Sequence, residues 1–162
     1  GERMLPRIME GRPVWLLTGP DQPHTYSYAP DVAAGLVTLG LAGDEAYGRV
    51  WHLPALPAES TRTWIERFAA AFGKPAPRIR TSGAWVMHLA GLFVPEAAEL
   101  PEMTYQWEAP FRLDDSRFRA AFGVTPTPLD EVVRSTVSWA RATWGRGGAA
   151  QEHRGEQVTT GP

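Results

Sequence analysis

The residues able to do chemistry are few and scattered. Four histidines, His24, His52, His88 and His153, lie far apart and share no metal-ligand spacing. There is no cysteine, which removes a disulfide scaffold, thiolate zinc sites and a cysteine nucleophile together. The single lysine, Lys74, stands between Gly73 and Pro75 and reads as a solvated turn residue, not a Schiff-base amine. No Gly-x-Gly-x-x-Gly, no phosphate loop, no Gly-x-Ser-x-Gly and no His-Glu-x-x-His occurs. Asp114 and Asp115 are adjacent, so their carboxylates diverge at a helix start and read as a cap and its neighbour. Asp31 also reads as a helix cap, accepting first-turn N–H groups at the positive end of the dipole. No catalytic residue and no metal ligand is expected.

Two stretches remain that can bind. His24 follows Pro23 and opens an alternating segment with Tyr26 and Tyr28. It stands either at the polar mouth of a strand or against a ligand pocket. Met103-Thr104-Tyr105-Gln106-Trp107, followed by Pro110-Phe111, either packs a core or walls an apolar pocket with polar handles from Tyr105, Gln106 and Trp107. The candidate substrate-binding residues are therefore His24, Tyr26, Tyr28, Met103, Tyr105 and Trp107. His52, inside an apolar run, is expected to be a core histidine.

The elements that must position these residues follow from spacing. Met4, Leu5, Ile8 and Met9 predict a short helix over 2–10, stopped by Gly11. Residues 13–17 predict a strand, 19–23 a turn, and 24–28 a short extended piece. Pro30 is expected to keep Ala29 extended, with Asp31 capping a helix over 32–42 and Gly43 closing it. That helix is apolar on nearly every face and is expected to be buried on both sides. Residues 48–54 predict another strand.

Ser60 and Thr61 cap a helix to Phe72 with an inner stripe of Ile65, Phe68, Ala69 and Phe72, ended by Gly73. Residues 75–80 read as an extended link, and 84–92 and 96–107 as helices broken at Pro95 and kinked at Pro101. Phe111 to Leu113 reads as extended, before a short helix ending at Phe122-Gly123. Thr127 as N-cap with Pro128 in the first turn predicts a last helix through Trp144. Residues 145–162 carry no core and read as a disordered tail.

The whole is 162 residues long, the size of one domain, with 43% hydrophobic and 10% aromatic residues, enough for a core. A net charge of -2, from 16 basic and 18 acidic residues, offers no basic field for nucleic acid and no polybasic membrane surface. No apolar run reaches the roughly 18 residues of a membrane span. Localisation in the cytoplasm is expected. The first residues, Gly-Glu-Arg-Met, carry no basic-plus-apolar leader and fit a piece of a longer protein.

Taken in order, several segments resemble one family. His24-Thr-Tyr-Ser-Tyr-Ala-Pro-Asp31-Val-Ala33 is similar to the place in extended short-chain dehydrogenases/reductases where an Arg-led strand runs into an Asp-Val-Ala helix. The likeness continues through Gly48-Arg-Val-Trp-His-Leu-Pro54, the Thr61–Gly73 helix, and Phe122-Gly123-Val-Thr-Pro126-Thr-Pro128-Leu129 with Val137-Ser-Trp139. It spans about residues 1–144, and the subgroup it looks like is the NAD-dependent epimerase/dehydratase family.

The resemblance implies an α/β fold: late strands and helices of a Rossmann-like sheet plus a mostly helical substrate-binding domain. In that family the N-terminal half supplies the glycine-rich loop and the Tyr-x-x-x-Lys set. Neither is in this sequence, so the implied chain is the C-terminal half, with the nucleotide-binding half absent and NAD or NADP held mainly there. The implied partners are that N-terminal half and a small-molecule substrate, while the oligomeric state stays open, with a homodimer as one option. Nucleotide-sugar members carry Arg where His24 stands; a neutral imidazole offers neither permanent charge nor a bidentate fork. This points to a small or apolar carbonyl or alcohol. The rival expectation is a stand-alone, non-catalytic module that binds an apolar ligand or a partner helix.

Overall fold

The computed structural model describes residues 4–16, 18–81 and 108–145. The expected helices at 84–92 and 96–107, the binding candidates Met103, Tyr105 and Trp107, and the expected tail lie outside the described residues.

The chain is mixed α/β. Among the described residues there are five α-helices: α1 (Leu5–Met9), α2 (Ala29–Leu41), α3 (Thr61–Phe72), α4 (Ser116–Phe122) and α5 (Leu129–Trp144). The strands are short: β1 (Val14–Leu16), β2 (Pro23–His24), β3 (Glu59–Ser60) and β4 (Ile79–Thr81). β1 and β4 pair in parallel, with Trp15 opposite Arg80. β2 and β3 pair antiparallel, and Phe111 adds one parallel bridge to His24.

α3 forms as its sequence dictates. Ser60 Oγ accepts the Thr63 N–H at 3.1 Å, satisfying a first-turn donor. Trp64, Ile65, Phe68, Ala69 and Phe72 are all buried, and Gly73 ends the helix at φ 72°, a conformation that costs glycine little. α1 and α5 pack on it. Leu5 and Ile8 from α1, Val14 from β1, Leu56, and Val132, Val137 and Ala140 from α5 complete one core with the α3 stripe. Burying a side chain such as Ile65 is worth about 1.5–3 kcal/mol. A second, smaller cluster lies under α4, where Phe118 and Phe122 pack against Trp51 with ring centroids 6.1 and 5.1 Å away.

Seven expectations are corrected. α2 begins at Ala29, because Pro30 sits in the first turn where its missing N–H costs nothing, so Ala29 is helical and not extended. Asp31 is therefore inside the first turn and caps nothing; its carboxylate accepts the Thr127 N–H at 2.9 Å and the Thr127 hydroxyl at 2.5 Å. Thr127 in turn is not the cap of α5, whose N-cap is Pro128 with no side-chain bond.

The helix expected to be buried on both sides buries Gly35 alone, and Leu36, Val37 and Leu41 are 58%, 61% and 83% exposed. Residues 48–54 form no strand. The contacts of this stretch are made without a ladder: Trp51 Nε1 donates to the Ala46 carbonyl, and the adjoining Ala55 N–H reaches Asp115. His52 is exposed, not a core residue; its Nδ1 lies 2.9 Å from the Asp114 carbonyl oxygen. Conversely, the expected link at 75–80 ends in β4, whose strand character comes from pairing with β1.

Candidate functional site

The segment 23–30 threads between the helices and carries the site. Pro23 and His24 are held on one side by β3 and on the other by Phe111, whose N–H donates to the Pro23 carbonyl at 2.8 Å and whose carbonyl accepts the Thr25 N–H at 2.9 Å. Thr25, buried, receives the Leu113 N–H on its Oγ1 at 3.1 Å. This three-way pairing fixes the alternation that follows. His24 stacks on Phe111 at 4.9 Å and tilts against Tyr26 at 4.9 Å. Tyr26 meets Trp64 edge-on at 5.9 Å, and its hydroxyl shares a 2.8 Å hydrogen bond with Thr61 Oγ1. Tyr28 reaches the other way and donates to Ser135 Oγ on α5 at 2.9 Å.

Two cavities open along this segment. The inner one, about 240 Å³, is walled by Tyr26, Leu56, Trp64, Phe68 and Val132. The outer one, about 660 Å³, is walled by Ala29, Pro30, Ser135 and Trp139. Leu5, Ser27, Tyr28 and Thr136 line both, so the two adjoin along this segment. Trp139 is 51% exposed and packs edge-on against Trp144 at 4.8 Å. Trp64 Nε1 is buried with no acceptor among the described residues. A donor left so costs about 1–3 kcal/mol, and folded proteins rarely carry many.

Charge sits away from these cavities. Arg67 grips Glu59 through two bonds of 2.9 and 2.6 Å, which hold the guanidinium pKa above its ordinary value. Arg62 grips Asp21 at 2.7 Å, and that hydrogen bond holds the Asp21 carboxyl below the usual range. Asp114 is also lowered, because its carboxylate accepts the Ser116 N–H at the start of α4. Asp115 occupies the N-cap position of α4, but its carboxylate accepts the Ala55 N–H at 3.0 Å and pairs with Arg119 at 3.0 Å. On the far side of the α3–α5 pair, Arg67, Arg134 and Arg141 line a separate open groove with Asp130.

Of the six binding candidates, Tyr26 and Tyr28 line the cavities, and His24 stands behind Tyr26 as a stacked support. Met103, Tyr105 and Trp107 lie outside the described residues. Trp64, Phe68 and Trp139 were not among the candidates. The first two are indistinguishable from core in the α3 stripe, whereas Trp139 stands off the inner face of α5, half-exposed and packed only against Trp144 among the ring contacts of the described residues. Among the described residues no group of three or more His, Asp or Glu side chains converges as a metal site, and no helix is long and apolar enough to cross a membrane. No protein-family model matches the chain, and neither a curated protein nor a solved structure matches it.

Proposed function

We propose that this chain is the C-terminal, substrate-binding portion of an NAD(P)-dependent epimerase/dehydratase-like oxidoreductase acting on a small or apolar carbonyl or alcohol. The observation that carries the reading is the parallel β1–β4 pair. Parallel strands occur almost only in larger sheets covered on both faces. Here Val14 is buried on one face, while Trp15 on the other is 53% exposed, with Arg80 over its ring at 5.3 Å. The uncovered apolar face of α2 supports the same reading: sheet and helix have room for a larger nucleotide-binding half.

The described residues hold no dinucleotide cradle of their own, since no glycine-rich turn runs from a strand into a helix N-terminus among them. NAD or NADP would therefore be held by the other half. This chain would bind, orient and shield the substrate along the Tyr26–Tyr28 path. The test is the protein carrying both halves. Dinucleotide fluorescence should change on mixing, and carbonyl reduction should follow. A full-length protein that ignores both dinucleotides overturns the reading.

A second reading, a non-catalytic module for an apolar ligand, is favoured by one observation: the inner chamber has walls supplied by this chain itself. Reversible, cooperative unfolding of the chain alone, without association, would favour it.

A further inference from the structure

We infer that the adjoining inner and outer cavities act as one site for an uncharged molecule with an apolar body and a single oxygen-bearing end, an alcohol or its ketone. The inference rests on the substrate-domain reading and adds the charge, shape and seating of the substrate. The apolar body belongs in the inner chamber of about 240 Å³ among Leu56, Trp64, Phe68 and Val132. The oxygen end belongs at the junction, where Ser27, Tyr28 and Thr136 wall both cavities and Ser135 stands at the outer one. There the hydroxyls are already ordered. Tyr28 donates to Ser135 Oγ, so the Ser135 proton is left to give to a ligand oxygen, while the Tyr28 oxygen can accept from a ligand hydroxyl. The pair thus suits both members of a carbonyl/alcohol couple. The half-exposed Trp139 ring forms the outer wall and offers an apolar face to whatever projects from the junction.

Charge decides against an anionic ligand. None of the described residues lining either cavity is charged. Arg67, Arg134 and Arg141 line the separate groove, Arg67 is already engaged by Glu59, and Arg62 by Asp21. Residues 82–107 contain Glu96, Glu99 and Glu102 but no lysine or arginine in their sequence. Among the described residues lining this path, a carboxylate or phosphate would lose water without gaining a cation, whereas a neutral oxygen trades water for hydroxyls at little cost.

The experiment compares 1-phenylethanol and acetophenone with mandelate, which keeps the ring and adds a carboxylate. Binding to the 162-residue chain is followed by tryptophan fluorescence and by saturation-transfer NMR. Both neutral probes should bind, and mandelate should bind at least about tenfold more weakly, the cost of an unpaired charge. Ser135→Ala and Trp139→Ala, both at exposed positions, should each weaken 1-phenylethanol about fivefold, as expected for one hydrogen bond or one aromatic contact. Equal affinity for mandelate, no binding of either neutral probe, or unchanged affinity in both folded variants overturns the inference. Binding of the neutral probes without dinucleotide-linked turnover in the two-half protein would leave this site standing and remove the redox reading. Turnover of an anionic carbonyl would do the reverse.

Discussion

The α3 side and the α2 side of the molecule are both rich in apolar residues, yet only the first hides them. α3 gathers its apolar residues into one stripe, and α1 and α5 pack on it so that the stripe is buried. α2 distributes them around its whole circumference and touches the rest of the chain chiefly at Gly35. There an added Cβ would meet Leu53 Cδ2 at 3.0 Å and Pro54 Cδ at 3.3 Å. A striped helix needs one partner; an all-round apolar helix needs two. The difference places the stability of this chain on the α3 side and its unmet demand for contact on the α2 side.

The largest effects should separate the two sides. Ile65→Ala, at a fully buried position of α3, should cost about 2–5 kcal/mol in urea unfolding. Leu41→Ser, on the open face of α2, should change stability by no more than about 0.5 kcal/mol. It should, however, reduce dye binding and self-association, because it removes exposed apolar surface. If Leu41→Ser unfolds the chain as Ile65→Ala does, α2 is covered and the contrast is void.

Next come the polar ties that hold the α2 and α4 layer to the core. Asp115 is buried and serves Ala55 N–H and Arg119 together, so Asp115→Ala strands a buried donor and should cost about 1–3 kcal/mol. Asp31→Ala breaks two bonds to Thr127 at a half-buried site and should cost less, about 1–2 kcal/mol. Denaturant midpoints of the two variants check the ranking. Equal losses would mean that the Asp31 clamp fastens α2 as firmly as a core contact does.

What could be read in the sequence follows the same division. α3 was legible to its ends because stripe, Ser60 cap and Gly73 stop are all local signals. β4 was not, since Ile79–Thr81 becomes a strand only by meeting Val14–Leu16, far away in the chain. Asp31 was misread because Pro30 moved the helix start upstream of it, and Thr127, distant in sequence, supplied the competing donors. Residues 48–54 alternate like a strand, but their partners are side chains and loop carbonyls, not a neighbouring ladder. The site divides likewise. Tyr26 and Tyr28 were visible as an alternating pair, whereas Trp64 and Phe68 were concealed within a stripe that also serves the core.

The smallest effect concerns acid. Asp21 and Asp114 both have carboxyls held below their ordinary range, by the Arg62 and Ser116 hydrogen bonds respectively. With the folded value lower than the unfolded one, the unfolded chain binds protons first as pH falls. Their contribution is therefore complete above the ordinary carboxyl value of about 3.9 and is lost as pH falls through the lower folded-state values. Both groups are fully exposed and screened by water, so the loss should be slight. Between about pH 5 and pH 3, Asp21→Asn and Asp114→Asn should each show a shallower drop in urea midpoint than the parent chain. Asp114 lies at the start of α4 and Asp21 beside α3, so unequal flattening would reveal which layer yields first to acid. An unaltered drop in both variants would assign the acid sensitivity to other carboxylates.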